Sequence, residues 1–195
     1  MSMVPAQPNS PSPLGRAQWL ADEVFAWAGL SPCVLRVAAF FYENLTLLHG
    51  DDLRDTGTMA NAFGDVAVPW IAGRDAGELM VQAVLHPERF PAGVHYPAGA
   101  AFRSHAELAQ ELSVQLGRPI VHQTIARDDW HAILVARGHD PRLADHITAL
   151  AANLTKTRTP ARATDPHALA DLLGRPPTSF AAFVDQALST HGASD

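Results

Sequence analysis

The run Cys33-Val34-Leu35-Arg36-Val37 narrows the fold more than any other segment. It is an almost uninterrupted apolar stretch of strand length, opened by Ser31-Pro32. Such runs suit strands buried on both faces, as in parallel sheets. A strand of that kind needs helices to cover it, and the flanking sequence supplies them. Over residues 16–28, Ala17, Leu20, Ala21, Val24 and Ala28 recur at helical spacing, and Gly29 is a natural stop. Trp19 and Trp27 fall on a second face of that helix. Its cover comes either from this chain's own segments or from a partner. Residues 39–48 are aromatic-rich and read as helix, and 49–65 read as loop. A second strand is expected over 66–71. Asp75 then opens a helix with Ala76, Leu79, Met80, Ala83 and Val84 on one stripe, stopped by Pro87.

The second half continues the alternation. Val94-His95-Tyr96 is a candidate strand. Ser104 and Glu107 form a capping box before a helix bearing Leu108, Leu112 and Leu116. Residues 120–125 are a fourth strand candidate, followed by helices over 128–137 and 141–152. Asp165-Pro166 starts another helix, ended by Gly174. Thr178 caps the last, with Phe180, Phe183, Val184 and Leu188 on one face. The expected class is α/β, rich in helix and poor in strands.

Composition excludes several functions. Of 195 residues, 47% are hydrophobic and 17% charged, which is a globular balance. The net charge of -6 argues against bulk attraction to nucleic acid or anionic membrane. No run of eighteen apolar residues is present, so no spanning helix is expected. The Pro/Ser-rich stretch 1–14 resembles neither a signal peptide nor a presequence and reads as a flexible tail, leaving 15–195 as the folded domain. A single cysteine, Cys33, rules out an internal disulfide, and a cytoplasmic home is the expectation. Ten histidines show no ligand-pair spacing, so they read as core or surface residues and no metal is expected. There is no glycine-rich dinucleotide turn, phosphate-binding loop, nucleophile elbow or Tyr-x-x-x-Lys pair. The chain has one lysine, Lys156.

The order of segments resembles the C-terminal two-thirds of the NmrA-like family, the atypical short-chain dehydrogenase relatives. Four stretches carry the resemblance: EVFAWAGLSPCVLRVAAFFYENL at 23–45, GDVAVPWIAGRDAGELMVQAVLHP at 64–87, LAQELSVQLGRPIVHQTIARDDW at 108–130 and LLGRPPTSFAAFV at 172–184. The resemblance implies a Rossmann-like domain and an NAD(P)H-linked oxidoreductase or a degenerate relative of one. Family members begin with about a hundred residues that carry the glycine-rich turn, and here the Pro/Ser stretch stands before Arg16. Reductase branches place a lysine in the helix before Gly29-Leu30. The matching position lies near Gln18, with no lysine close by.

The family reading puts Val37, Ala38 and Phe40 at the nicotinamide end of any bound NAD(P). Phe40, Phe41, Tyr42, Asn44 and Trp70 would line an apolar pocket for a flat small molecule. Tyr42, Glu43 and His131 are the acid/base candidates. Two other functions remain open: a cofactor-free isomerase, cyclase or lyase, and a non-enzymatic redox-sensing module. Without the family's preceding strands, the strand at 33–37 would have an open edge. A homo-oligomer or a separate protein covering 16–37, near Trp19 and Trp27, is therefore expected.

Overall fold

The computed structural model describes residues 1–37, 40–97, 99, 102–157 and 166–191. Its parallel strands and covering helices give the α/β class expected. Strand β1 (Ser2–Met3) leads into helix α1 (Pro13–Trp27), then β2 (Cys33–Val37) and β3 (Phe40–Phe41). Helix α2 (Glu43–Asp55) precedes β4 (Thr58–Asn61) and β5 (Val68–Ile71). Helix α3 (Gly73–Leu85) leads to β6 (Gly93–His95) and β7 (Phe102–Arg103). Helix α4 (His105–Leu116) precedes β8 (Val121–Thr124), and α5 (Arg127–Ala136), α6 (Pro141–Thr157), α7 (Pro166–Leu173) and α8 (Phe180–His191) complete the order. No helix among the described residues is long and apolar enough to cross a membrane.

The strands form three small sheets, ordered β1-β2-β6, β3-β5-β7 and β4-β8. All pairings are parallel except β5 with β7. All four residues of β5 are buried. Their alternation sends Val68 and Trp70 into one core and Ile71 into another. The larger core gathers Phe40, Leu45, Met59, Phe63, Leu108, Trp130, Leu134 and Ile147. The smaller holds Leu35, Val37, Leu79, Phe90, Leu169 and Leu173, from β2, α3, the segment before β6, and α7.

Three expectations need correction. Residues 1–14 are not a loose tail. Ser2 and Met3 pair in parallel with Arg36 and Val37, and Ala6, Ser10 and Ser12 are buried. Ser12 caps α1, with Pro13 at its first position. This pairing also occupies part of the β2 edge expected to be open. Second, the residues 49–65 do not form one loop. Helix α2 runs to Asp55 and β4 follows. His49 and Asn61, both buried, stand where periodicity would call for apolar residues, and that hid both elements. Third, the apolar stripe of α1 does not face the core. Ala17, Leu20, Ala21 and Val24 are exposed, and Trp27 is 71% exposed. The half-buried side instead carries Gln18, Trp19, Asp22 and Glu23. Asp22 ties the helix to the sheet, accepting from Arg36 at 3.2 Å and from the Ser2 hydroxyl at 2.8 Å.

Histidines take structural positions in the larger core. The His49 and His105 rings are buried beside Phe63 and Trp130, and His105 stacks on Phe63 at 4.9 Å. Neither Nδ1 has a hydrogen-bond partner. Burial lowers the His49 pKa to about 4, and it holds His105 well below the ordinary range. Unfolded, both take up a proton near pH 6.5. The unfolded chain thus binds more protons below that pH, and stability falls from about pH 6.5 down to about pH 4. His49 alone accounts for about 3 kcal/mol of that loss. The urea midpoint should accordingly drop steeply between pH 7.5 and pH 4.5, and a flat profile over that interval would contradict it. The capping box is also confirmed: Ser104 accepts from the Glu107 N–H, and the Glu107 carboxylate accepts from the Ser104 N–H at 2.7 Å. Ser104→Ala should cost about 1 kcal/mol in the same denaturation measurement.

Candidate functional site

Among the described residues, a larger and a smaller cleft border the sheet layer. The larger, about 390 Å³, lies where β1, β2 and β3 end, with Met3, Val37 and Phe41 at those carboxyl termini. Its wall adds Phe40, Asn44 and Leu47 from the β3–α2 region and His146, Ile147 and Leu150 from α6. Crevices at the carboxyl ends of parallel strands are the usual ligand site of open α/β sheets. The walls are mostly apolar, and Leu47 stands exposed at the cleft.

The smaller cleft, about 260 Å³, lies between β5, α4 and the start of α8. It is bordered by Tyr42, Trp70, Asp75, Arg103, Glu111, Thr178 and Phe180. Arg103 and Glu111 form an ion pair at 2.7 Å. Asp75 is fully buried and accepts from Arg175 at 2.7 Å, the Thr178 N–H at 2.6 Å and the Thr178 hydroxyl at 2.9 Å. This node locks the loop before α8 onto α3 and leaves no free carboxylate oxygen for chemistry.

The residues named from sequence divide between these places. Phe40, Phe41 and Asn44 line the larger cleft, whereas Tyr42 and Trp70 border the smaller. Tyr42 follows β3 at the start of α2, and Trp70 lies on the neighbouring β5. Val37 and Phe40 reach the larger cleft, and Ala38 lies outside the described residues. The acid/base candidates do not converge. Tyr42 is buried, stacked on Trp70 with the ring planes 3° apart and packed against Phe180. Burial, reinforced by the nearby Glu111 charge, pushes its phenol up to about 12, so it stays neutral. Glu43 is exposed and accepts from the Gly73 N–H at 3.0 Å, capping the positive end of α3. His131 joins Asp145 at 3.0 Å on the α5–α6 surface. Cys33 is half-buried, and burial raises its thiol pKa. Among the described residues, no group of three His, Cys, Asp or Glu could hold a metal ion.

Sequence reasoning missed Ser12 and His146, whose side chains meet at 2.6 Å beside the larger cleft. Ser-Pro before a helical stretch is an N-cap signal that marks Ser12. No spacing rule links it to a histidine 134 residues away.

Comparison with known structures decides the fold. The chain superposes on NADPH-dependent quinone oxidoreductase from Escherichia coli, solved with NADPH, at a TM-score of 0.78 and 22% identity. That match covers 96% of this chain and 64% of the other. It also matches an NmrA mutant at a TM-score of 0.59 and 12% identity, over 91% of this chain and 60% of NmrA. The chain has an NmrA-like fold. By sequence it is 29% identical over 201 residues to the NAD(P)H azoreductase of Xenophilus azovorans, covering 96% of this chain and 64% of that protein. The chain therefore spans less than two thirds of the length of the proteins it matches. No family model matches it.

The smaller cleft depends on the Asp75 node for its shape. Arg175→Ala would leave the buried carboxylate with Thr178 alone. The expected cost is about 2–3 kcal/mol, below that of a fully buried pair because Arg175 is a third exposed. Thermal unfolding of the variant measures it.

Proposed function

We propose that the larger cleft takes the nicotinamide end of NAD(P)H beside a flat, conjugated electron acceptor, in a reductase-type protein. The observation that carries this reading is the place of the cleft. It stands at the carboxyl ends of β1, β2 and β3, walled by Val37, Phe40 and Phe41. The similar proteins named an azoreductase and a quinone oxidoreductase support it.

The residues present suit one end of such a nucleotide. Flat apolar walls match a nicotinamide ring, and the Asn44 side chain, half-buried at the cleft, offers an amide to its carboxamide. No glycine-rich turn for the phosphates occurs in the sequence. When bound, the reduced ring supplies a hydride. The chain's own part is to hold two flat molecules together in a site poor in water, where Val37, Phe40, Phe41 and Ile147 keep solvent away.

This reading is tested by titrating the protein with NADPH and with reduced nicotinamide mononucleotide, following nicotinamide fluorescence. Both should bind with affinities within about threefold of each other, because the contacts lie at the shared end. Leu47→Trp fills the cleft beside α2 and should weaken both at least tenfold, or about 1.4 kcal/mol. Absence of saturable binding by either nucleotide up to millimolar concentration would overturn the reading.

A further inference from the structure

The larger cleft is apolar at most points, which makes its few polar groups informative. Ser2 and Gln18 border it, but both donate to Asp22. His146 borders it from α6 and is 9% exposed. Its Nδ1 lies 2.6 Å from Ser12 Oγ. Ser12 is fully buried, and its Oγ already accepts the Gly15 N–H at 3.3 Å.

That arrangement assigns the proton on the histidine. A buried hydroxyl donates its hydrogen whenever an acceptor is in reach. The acceptor in reach of Ser12 is His146 Nδ1. Accepting there requires that Nδ1 carry no hydrogen, so in the neutral ring the proton is on Nε2. Burial lowers the pKa of His146, so the neutral ring is the resting form. Among the described residues no hydrogen bond reaches Nε2, and the ring borders the cleft. Besides the Asn44 amide, the site therefore offers a ring N–H donor whose orientation a buried partner fixes, beside apolar walls. A hydrocarbon cannot use that donor, whereas a flat molecule with a carbonyl oxygen can.

We propose that His146 is a ligand-binding residue of this cleft, donating its Nε2–H to the oxygen of a flat carbonyl- or quinone-bearing molecule. Ser12 is the positioning residue that sets its tautomer. The inference rests on the reading of the cleft given above and names the chemistry of its second occupant.

The test compares two ligands of the same outline. Menadione carries quinone oxygens, and 2-methylnaphthalene has the same ring system and methyl group without them. In calorimetric titrations of the full chain, menadione should bind more tightly than the hydrocarbon. His146→Phe should weaken menadione roughly fivefold, as loss of one hydrogen bond does, and leave the hydrocarbon within twofold. His146→Gln keeps a donor and should recover part of the loss. Nitrogen-15 imidazole spectra of the unsubstituted protein should show the Nε2–H tautomer, and Ser12→Ala should turn it into a mixture. A wild-type ring protonated on Nδ1 overturns the assignment whatever the variants do. Equal losses for both ligands in His146→Phe would show a packing role and overturn the hydrogen bond. Menadione bound with unchanged affinity by that variant removes this inference alone. If neither ligand binds, the reading of the cleft fails with it.

Discussion

The fold depends on β5 being buried on both faces. Its four residues leave no exposed side, so each must be matched by a neighbour. Val68 and Trp70 are met by the larger core and Ile71 by the smaller. Parallel pairing fixes Phe40 opposite Trp70 and Phe41 opposite Ile71. The chain leaves β3 through Tyr42 and Glu43, and Glu43 reaches across to cap α3, the helix that follows β5. The carboxyl end of the sheet layer, the first turn of α2 and the start of α3 are thus set by one strand. Both clefts border that region.

The apolar rhythm of the sequence was sufficient to place the buried strands and most helices. β2, β5 and the helices α3, α4, α5 and α8 fall within a few residues of where apolar spacing puts them, because most of their buried positions are apolar. β8 stands at its expected place although its residues are largely exposed, and Ser179 rather than Thr178 caps α8. The rhythm fails where burial is polar. His49, Asn61 and His105 occupy interior positions that no hydrophobic pattern marks. Asn61 is held by the Phe63 N–H and the His122 ring on its Oδ1, leaving its Nδ2 unpartnered. Helix α1 fails for the opposite reason. Its apolar stripe is regular, yet the side turned to the sheet is chosen by an ion pair, Asp22 with Arg36, and Arg36 lies on a strand that reads as apolar.

The candidate site was less legible. Phe40, Phe41 and Asn44 could be named because aromatic and amide residues follow a buried strand, and such segments emerge at the carboxyl end of a sheet. The division of Tyr42 and Trp70 into a second cleft depends on how β5, α4 and the start of α8 pack, which no local pattern marks. Tyr42, Glu43 and His131 stand out in the sequence for side-chain chemistry alone, and each is engaged in packing, capping or a surface pair. The Ser12–His146 contact depends on tertiary placement alone.

That contact also carries a consequence for how the molecule comes together. Ser12 and His146 are 134 positions apart, and β1 joins β2 across a span of more than thirty. Closing long loops costs entropy that local helices avoid. A chain emerging from the ribosome can form α1 and pair β1 with β2 early, but it has no wall on the α6 side until residue 146 and its helix have appeared. The cleft is therefore a late product of folding, and during synthesis its aromatic floor at Phe40 and Phe41 faces water first.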